Sequence, residues 1–164
     1  GRLGRCQDDP VTKYDNAPAV IRDLLTTPAT WVVVGLSTNR SRAAYGIAQF
    51  LKAELGMRVV PVHPSAETVL GATGYARLAD VPDDQPVAVV DCFVNSERVG
   101  AVVDEAIEQR ERLGIEALWL QLGVVDEEAA RRAEAAGLTV VMDTCPKIEY
   151  PRMGPGDGAD AVTG

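Results

Sequence analysis

The segment Trp31-Val32-Val33-Val34-Gly35-Leu36-Ser37-Thr38-Asn39-Arg40-Ser41-Arg42 decides the fold. Trp31 to Leu36 is an apolar, β-branched run broken by Gly35, the pattern of a strand covered on both faces. From Arg42 to Leu55 the period becomes helical, with Ile47, Phe50, Leu51 and Leu55 on one side, Lys52 and Glu54 outward, and Gly56 as the stop. Strand, glycine turn and helix in that order open a βαβ unit.

The same alternation extends in both directions. Upstream, Val20, Ile21, Leu24 and Leu25 recur at helical spacing, which predicts a short helix over Ala17 to Leu25 that Pro28 ends. Downstream, Arg58 to Val62 reads as a strand closed by Pro64, and Ser65 to Gly74 carries turn residues anchored by Leu70. Leu78, Asp80, Val81 and Pro82 suggest a single helical turn. Val87 to Phe93 is a third strand, and Glu97 to Leu113 a long helix stopped by Gly114. Ala117 to Leu122, Asp126 to Ala136 and Leu138 to Met142 complete the series as strand, helix and strand, with Asp126 as N-cap and Gly137 as the residue after the helix.

Short strands alternating with helices imply parallel pairing, and therefore an α/β, Rossmann-like, doubly wound and mainly parallel sheet of five strands or slightly more, with helices on both faces. A ligand of such a sheet lies beyond the carboxyl ends of its strands, where strand order reverses. That points to residues 35–42, 62–65, 93–97, 121–126 and 143–147. Residues 1–16 are expected to form an N-terminal arm, 17–150 the domain, and 151–164 a flexible Gly- and Pro-rich tail.

Of 164 residues, 46% are hydrophobic, enough for one domain to bury most of its apolar surface. With 16 Lys+Arg against 24 Asp+Glu, a formal charge of −8 and no basic cluster, nucleic acid and anionic membrane surfaces are poor partners. No apolar run approaches the roughly 20 residues that span a bilayer. Cys6, Cys92 and Cys145 are odd in number and far apart, against a disulfide scaffold or a cysteine-rich metal site. No metal-ligand cluster is visible. With no signal-peptide pattern at the start, the cytoplasm is the expected compartment.

A glycine followed by Ser37, Thr38 and a helix offers backbone N–H groups, hydroxyls and a helix dipole to a phosphate, and Arg40 and Arg42 add charge. The plainer alternative is an ordinary turn in which Gly35 serves the bend and Ser41 caps the helix. The dinucleotide pattern G-x-G-x-x-G is not met, because Ser37 and Arg40 stand where its second and third glycines belong. The second strand ends in Val62-His63-Pro64 with no acid for a ribose, and a Walker sequence is absent.

The blocks Val34-Gly35-Leu36-Ser37, Arg42, Val59-Val60-Pro61-Val62-His63-Pro64, Val69-Leu70-Gly71, Val89-Val90-Asp91 with Phe93, Ser96-Glu97, Trp119-Leu120-Gln121-Leu122-Gly123 and Asp143 with Cys145-Pro146-Lys147-Ile148-Glu149 give the chain a specific likeness. In their order and spacing it resembles the small, stand-alone coenzyme A-binding proteins, whose domain is similar to the CoA-binding domain of the succinyl-CoA synthetase α subunit. The resemblance covers roughly Val32 to Met153. It implies CoA, or an acyl-CoA, across the carboxyl edge of the sheet. Gly35, Ser37 and Thr38 would meet the pyrophosphate with Arg42 close by, and His63 and Pro64 would border the adenosine. Phe93, Val94 and Ser96 would line the next stretch, while Gln121 and Gly123 approach the pantetheine arm. Two departures stand out. Ala43-Ala44 replaces the proline and serine expected after Arg42, and Asp143-Thr144-Cys145 lacks the arginine expected between Asp and Cys.

Single residues carry further expectations. His63, the lone histidine, is either a ligand-edge contact or a residue that closes the turn before Pro64. Cys145 is either a half-buried strand-end cysteine or a thiol facing the CoA sulfur, able to form a mixed disulfide. Cys92 belongs to the core. Phe93 and Trp119 offer either an adenine platform or ordinary packing. No catalytic constellation is visible, so binding as a carrier, sensor or thiol-protecting protein is the leading expectation. The alternatives are an NAD(P)-binding oxidoreductase and a CoA-ligase-type subunit that needs a partner chain. A homodimer is left open.

Overall fold

The structure is a computed structural model and describes residues 16–153. Five parallel strands, β1 (Thr30–Val34), β2 (Arg58–Val62), β3 (Val87–Cys92), β4 (Ala117–Leu120) and β5 (Thr139–Met142), stand in the order β2-β1-β3-β4-β5. Helices α1 (Pro18–Thr26), α2 (Ala43–Ala53), α3 (Ser96–Leu113) and α4 (Glu127–Ala135) join them, with a single 3-10 turn at Leu78–Asp80. The doubly wound reading therefore holds, with the 2-1-3-4-5 order. Element boundaries fall within about two residues of the sequence reading, and β2 coincides with it.

Both faces of the sheet are covered, which is why the strands read as continuous apolar runs. Val32, Val34, Val90, Cys92, Leu118 and Leu120 point toward α3 and α4, whose Val99, Val103, Ala129 and Ala133 meet them. Trp31, Val33, Val59, Val89 and Trp119 point to the other side, onto Ile21 and Leu25 of α1 and Ile47 and Leu51 of α2. A further helix, α5, occupies residues 146–153 and adds Ile148 and Met153 to that second core. The domain was expected to end at residue 150, so α5 carries it further along the chain.

Of the expected arm, residues 1–15 lie outside the described residues, as do 154–164 of the expected tail. Asn16 is held in place. Its side-chain amide donates to the Met142 carbonyl at 2.8 Å and accepts the Met142 N–H at 2.9 Å, closing part of the free edge of β5. Helix ends follow the sequence where a cap is present. Asn95 accepts from Arg98 N–H at 3.0 Å to start α3, and Asp126 from Ala129 N–H at 3.0 Å to start α4. Among the described residues no helix is long and apolar enough to cross a membrane.

Candidate functional site

Register sets the site. The last residues of β2, β1, β3 and β4 lie side by side: Val34 pairs with Val62 and Cys92, and Cys92 with Leu120. The next residue of each strand is tied to its neighbour, with Gly35 N–H on Val62 O (2.7 Å), Phe93 N–H on Val34 O (2.9 Å) and Gln121 N–H on Cys92 O (3.2 Å). Gly35, His63, Phe93 and Gln121 thus form one row at the strand tips. The chain turns one way from β1 to β2 and the other way to β3, and the crevice opens there.

Glycine is required at the head of the β1–α2 loop. Gly35 has φ +101°, and a Cβ there would lie 2.9 Å from the Phe93 carbonyl oxygen. Ser41 does not cap α2. Asn39 Oδ1 accepts both its N–H (3.0 Å) and its hydroxyl (2.6 Å), which curls the loop, and Arg42 is the N-cap without a side-chain bond. Open N–H groups at the start of a helix are what an anion seeks. Arg42 makes no ion pair with another described residue, whereas Arg40 lies over the Tyr45 ring, 5.5 Å from its centroid.

Thr38 already has a partner. Its N–H donates to Glu67 Oε1 and its hydroxyl to Oε2, both at 3.1 Å. The backbone hydrogen bond from Thr38 is the largest influence holding the Glu67 carboxyl below its usual range, with smaller help from the Thr38 and Ser65 hydroxyls and His63. Glu67 is the loop residue that the sequence reading overlooked.

Two cavities meet at Arg42, Ala43, Phe93, Val94 and Asn95. The larger, about 940 Å³, is bounded by Gly35, Ser37, His63 and Pro64 on one side and by Arg77, Arg98 and Val102 on the other. His63 borders this cavity, and its Nδ1 accepts the Ser65 N–H at 3.0 Å across the turn at Pro64. The second cavity, about 630 Å³, is lined by Arg40, Ile47, Gln121, Leu122, Cys145 and Lys147 besides the shared wall, and none of the described residues lining it is acidic. Gln121 is only 5% exposed, and its Oε1 has no hydrogen-bond partner. A buried amide oxygen without a donor is costly, by about 1–3 kcal/mol.

Ser96 and Gly123 border neither cavity. Ser96 Oγ donates to Gly123 O (3.3 Å) and accepts the Val125 N–H (2.9 Å), while Gly123 N–H donates to Asp143 Oδ1 (2.8 Å). They shape the β4–α4 loop that carries Leu122 to the cavity. Trp119 is packing and not a platform: it is fully buried, its centroid 5.7 Å from that of Trp31, and its Nε1–H donates to Thr144 O at 2.9 Å. Phe93 is the aromatic residue that reaches both cavities. Cys92 is fully buried; desolvation first, and the neighbouring Asp91 second, push its thiol far up.

Comparison with known proteins bears on the family and the fold. The uncharacterized protein YneT of Bacillus subtilis is 30% identical over 132 residues, spanning 80% of this chain and 93% of that protein. A hypothetical protein from Pyrococcus horikoshii OT3 superposes with a TM-score of 0.74 at 31% identity, over 85% of this chain and 96% of its own. The dinucleotide-forming acetyl-coenzyme A synthetase 1 of Ca. Korarchaeum cryptofilum, solved with phosphate and ADP, matches at 26% identity and a TM-score of 0.60, over 72% of this chain but only 26% of the synthetase. Residues 29–151 match the CoA-binding domain family, and the chain belongs to it.

Proposed function

We propose that the chain binds coenzyme A or an acyl-CoA along the strand tips, its phosphates at the β1–α2 loop and its pantetheine arm in the smaller cavity, as a carrier, sensor or thiol-protecting protein of the cytoplasm. The observation that carries this reading is the junction of the two cavities at Arg42 and Phe93. One side offers open helix N–H groups and the Arg42 guanidinium, which no other described residue pairs, to a diphosphate. The other offers a mostly apolar channel, with Gln121, Leu122 and Cys145 in its wall, to the slim pantetheine arm. The chain's −8 charge supplies no long-range attraction, so affinity rests on these local contacts.

Arg42→Ala is expected to weaken CoA binding about tenfold in calorimetric titration, equivalent to about 1.4 kcal/mol. Unchanged affinity would place the phosphates elsewhere. Dephospho-CoA, which lacks only the ribose 3′-phosphate, should still bind, and NAD should be silent because the loop lacks two glycines of the dinucleotide pattern.

A second reading has one observation in its favour: the synthetase carries a domain like this one as about a quarter of its length. A subunit that lends its CoA site to a partner chain would bring a larger protein with it through native purification. Migration of the chain alone would leave the binding reading standing.

A further inference from the structure

Glu67 reaches the phosphate loop because its own loop is built to hold it there. After β2, the Ala66 N–H donates to His63 O at 2.7 Å, with Ala66 in the left-handed region at φ +52°. Val69 and Ala72 exchange backbone hydrogen bonds at 3.0 and 2.9 Å, and Lys52 Nζ donates to Leu70 O at 2.7 Å. Gly74 lies so close beneath Glu67 that a Cβ there would come within 2.0 Å of the Glu67 carbonyl oxygen. The Glu67 backbone is therefore fixed from both sides. Its two carboxylate oxygens land on a backbone N–H and a hydroxyl of one residue, Thr38, in a strand-to-helix loop. Two oxygens of a phosphate could bridge the same N–H and hydroxyl donors as the two carboxylate oxygens do.

We infer that Glu67 is a built-in competitor for the phosphate seat, occupying the Thr38 donors in the free protein and leaving them when a ligand's phosphate arrives. The inference rests on the CoA reading and adds regulation to it. Thr38 keeps an anionic partner in both states, so the loop stays ordered without ligand. Each binding event must first break two charge-assisted hydrogen bonds and separate the incoming phosphate from a displaced carboxylate. Affinity is therefore set lower than the loop alone would give. An anion too weak to displace Glu67 leaves the seat as it is.

Glu67→Ala, Glu67→Gln and the wild type are titrated calorimetrically with CoA, and thermal unfolding of all three confirms that they fold. Removing the carboxylate is expected to tighten CoA binding about tenfold, with the Gln variant between the other two, because a neutral acceptor holds the Thr38 donors roughly half as strongly. Equal binding by all three overturns the competitor role and leaves the CoA reading intact. Weaker binding by the Ala variant overturns it in favour of Glu67 as an organiser of the loop. Silence of all three overturns the CoA reading and the competitor with it. Should the Ala variant not fold, the isosteric Gln variant carries the comparison by itself.

Discussion

Gly35→Ala is expected to abolish CoA binding and to destabilise the domain by about 2–5 kcal/mol, through two additive causes. At φ +101° an L side chain is strained, by about 1–3 kcal/mol. The new Cβ also meets the backbone of the next strand, 2.9 Å from Phe93 O and 3.1 Å from Phe93 Cβ, and must push it away. Phe93 belongs to the wall shared by both cavities, so its displacement spoils the site as well as the fold. Urea denaturation and calorimetry read the two effects separately. Gly46→Ala is the control for stability alone: a Cβ there meets nothing within 4 Å of the protein, and alanine inside α2 should stabilise by about 0.5–1 kcal/mol. If Gly35→Ala were as benign as the control, the close approach of β1 and β3 at the loop would not be as described.

Asp91→Asn is expected to stabilise the protein, and increasingly so as pH rises. Asp91 is fully buried at the next-to-last position of β3, the central strand, between Val33 and Trp119, and neither carboxyl oxygen has a hydrogen-bond partner among the described residues. Desolvation raises its pKa well above the ordinary value. Because the folded chain holds that proton more tightly than the unfolded chain, the contribution to stability is complete below the unfolded pKa of about 3.9 and is lost as pH climbs toward the folded one. The loss is about 1.4 kcal/mol per pH unit within that window. Asparagine cannot ionise there. The stability difference between variant and wild type should thus be small at pH 4 and widen steadily above it in urea denaturation. A difference that stays flat between pH 4 and 8 would mean that the Asp91 carboxylate has a partner. Asp91 borders neither cavity, so CoA affinity should be unchanged in the variant.

Much of the architecture is legible in the sequence, because a parallel strand covered on both faces leaves an uninterrupted apolar run and each helix a 3.6-residue period. What periodicity does not carry is which strand lies beside which. Placing β2 next to β1 is what brings Glu67 to Thr38, 29 residues away, and no local pattern announces that meeting. Strand order likewise brings Ser96 to Gly123, spending on each other the hydrogen-bonding groups expected to face a ligand. Their positions at the strand tips are legible; their partners are not. Helix α5 escaped for another reason. Pro146 suits a first helical turn, but Pro151 within the same helix argues against continuation, and the segment is held by tertiary contacts. Ile148 and Met153 pack on the second core, and Tyr150 meets Phe50 edge-on with centroids 6.0 Å apart.

The central claim is that CoA lies across the strand tips, from the β1–α2 loop to Gln121. Backbone amide resonances of isotope-labelled protein titrated with CoA test it most directly. The expected result is saturable shifts confined to residues 35–46, 63–67, 93–98, 121–125 and 145–148, with the amide of Thr38 among the largest because it exchanges a carboxylate for a phosphate. Shifts clustered at the opposite end of the sheet, around Ala29, Met57 and Val87, or no shifts at millimolar CoA, would contradict it.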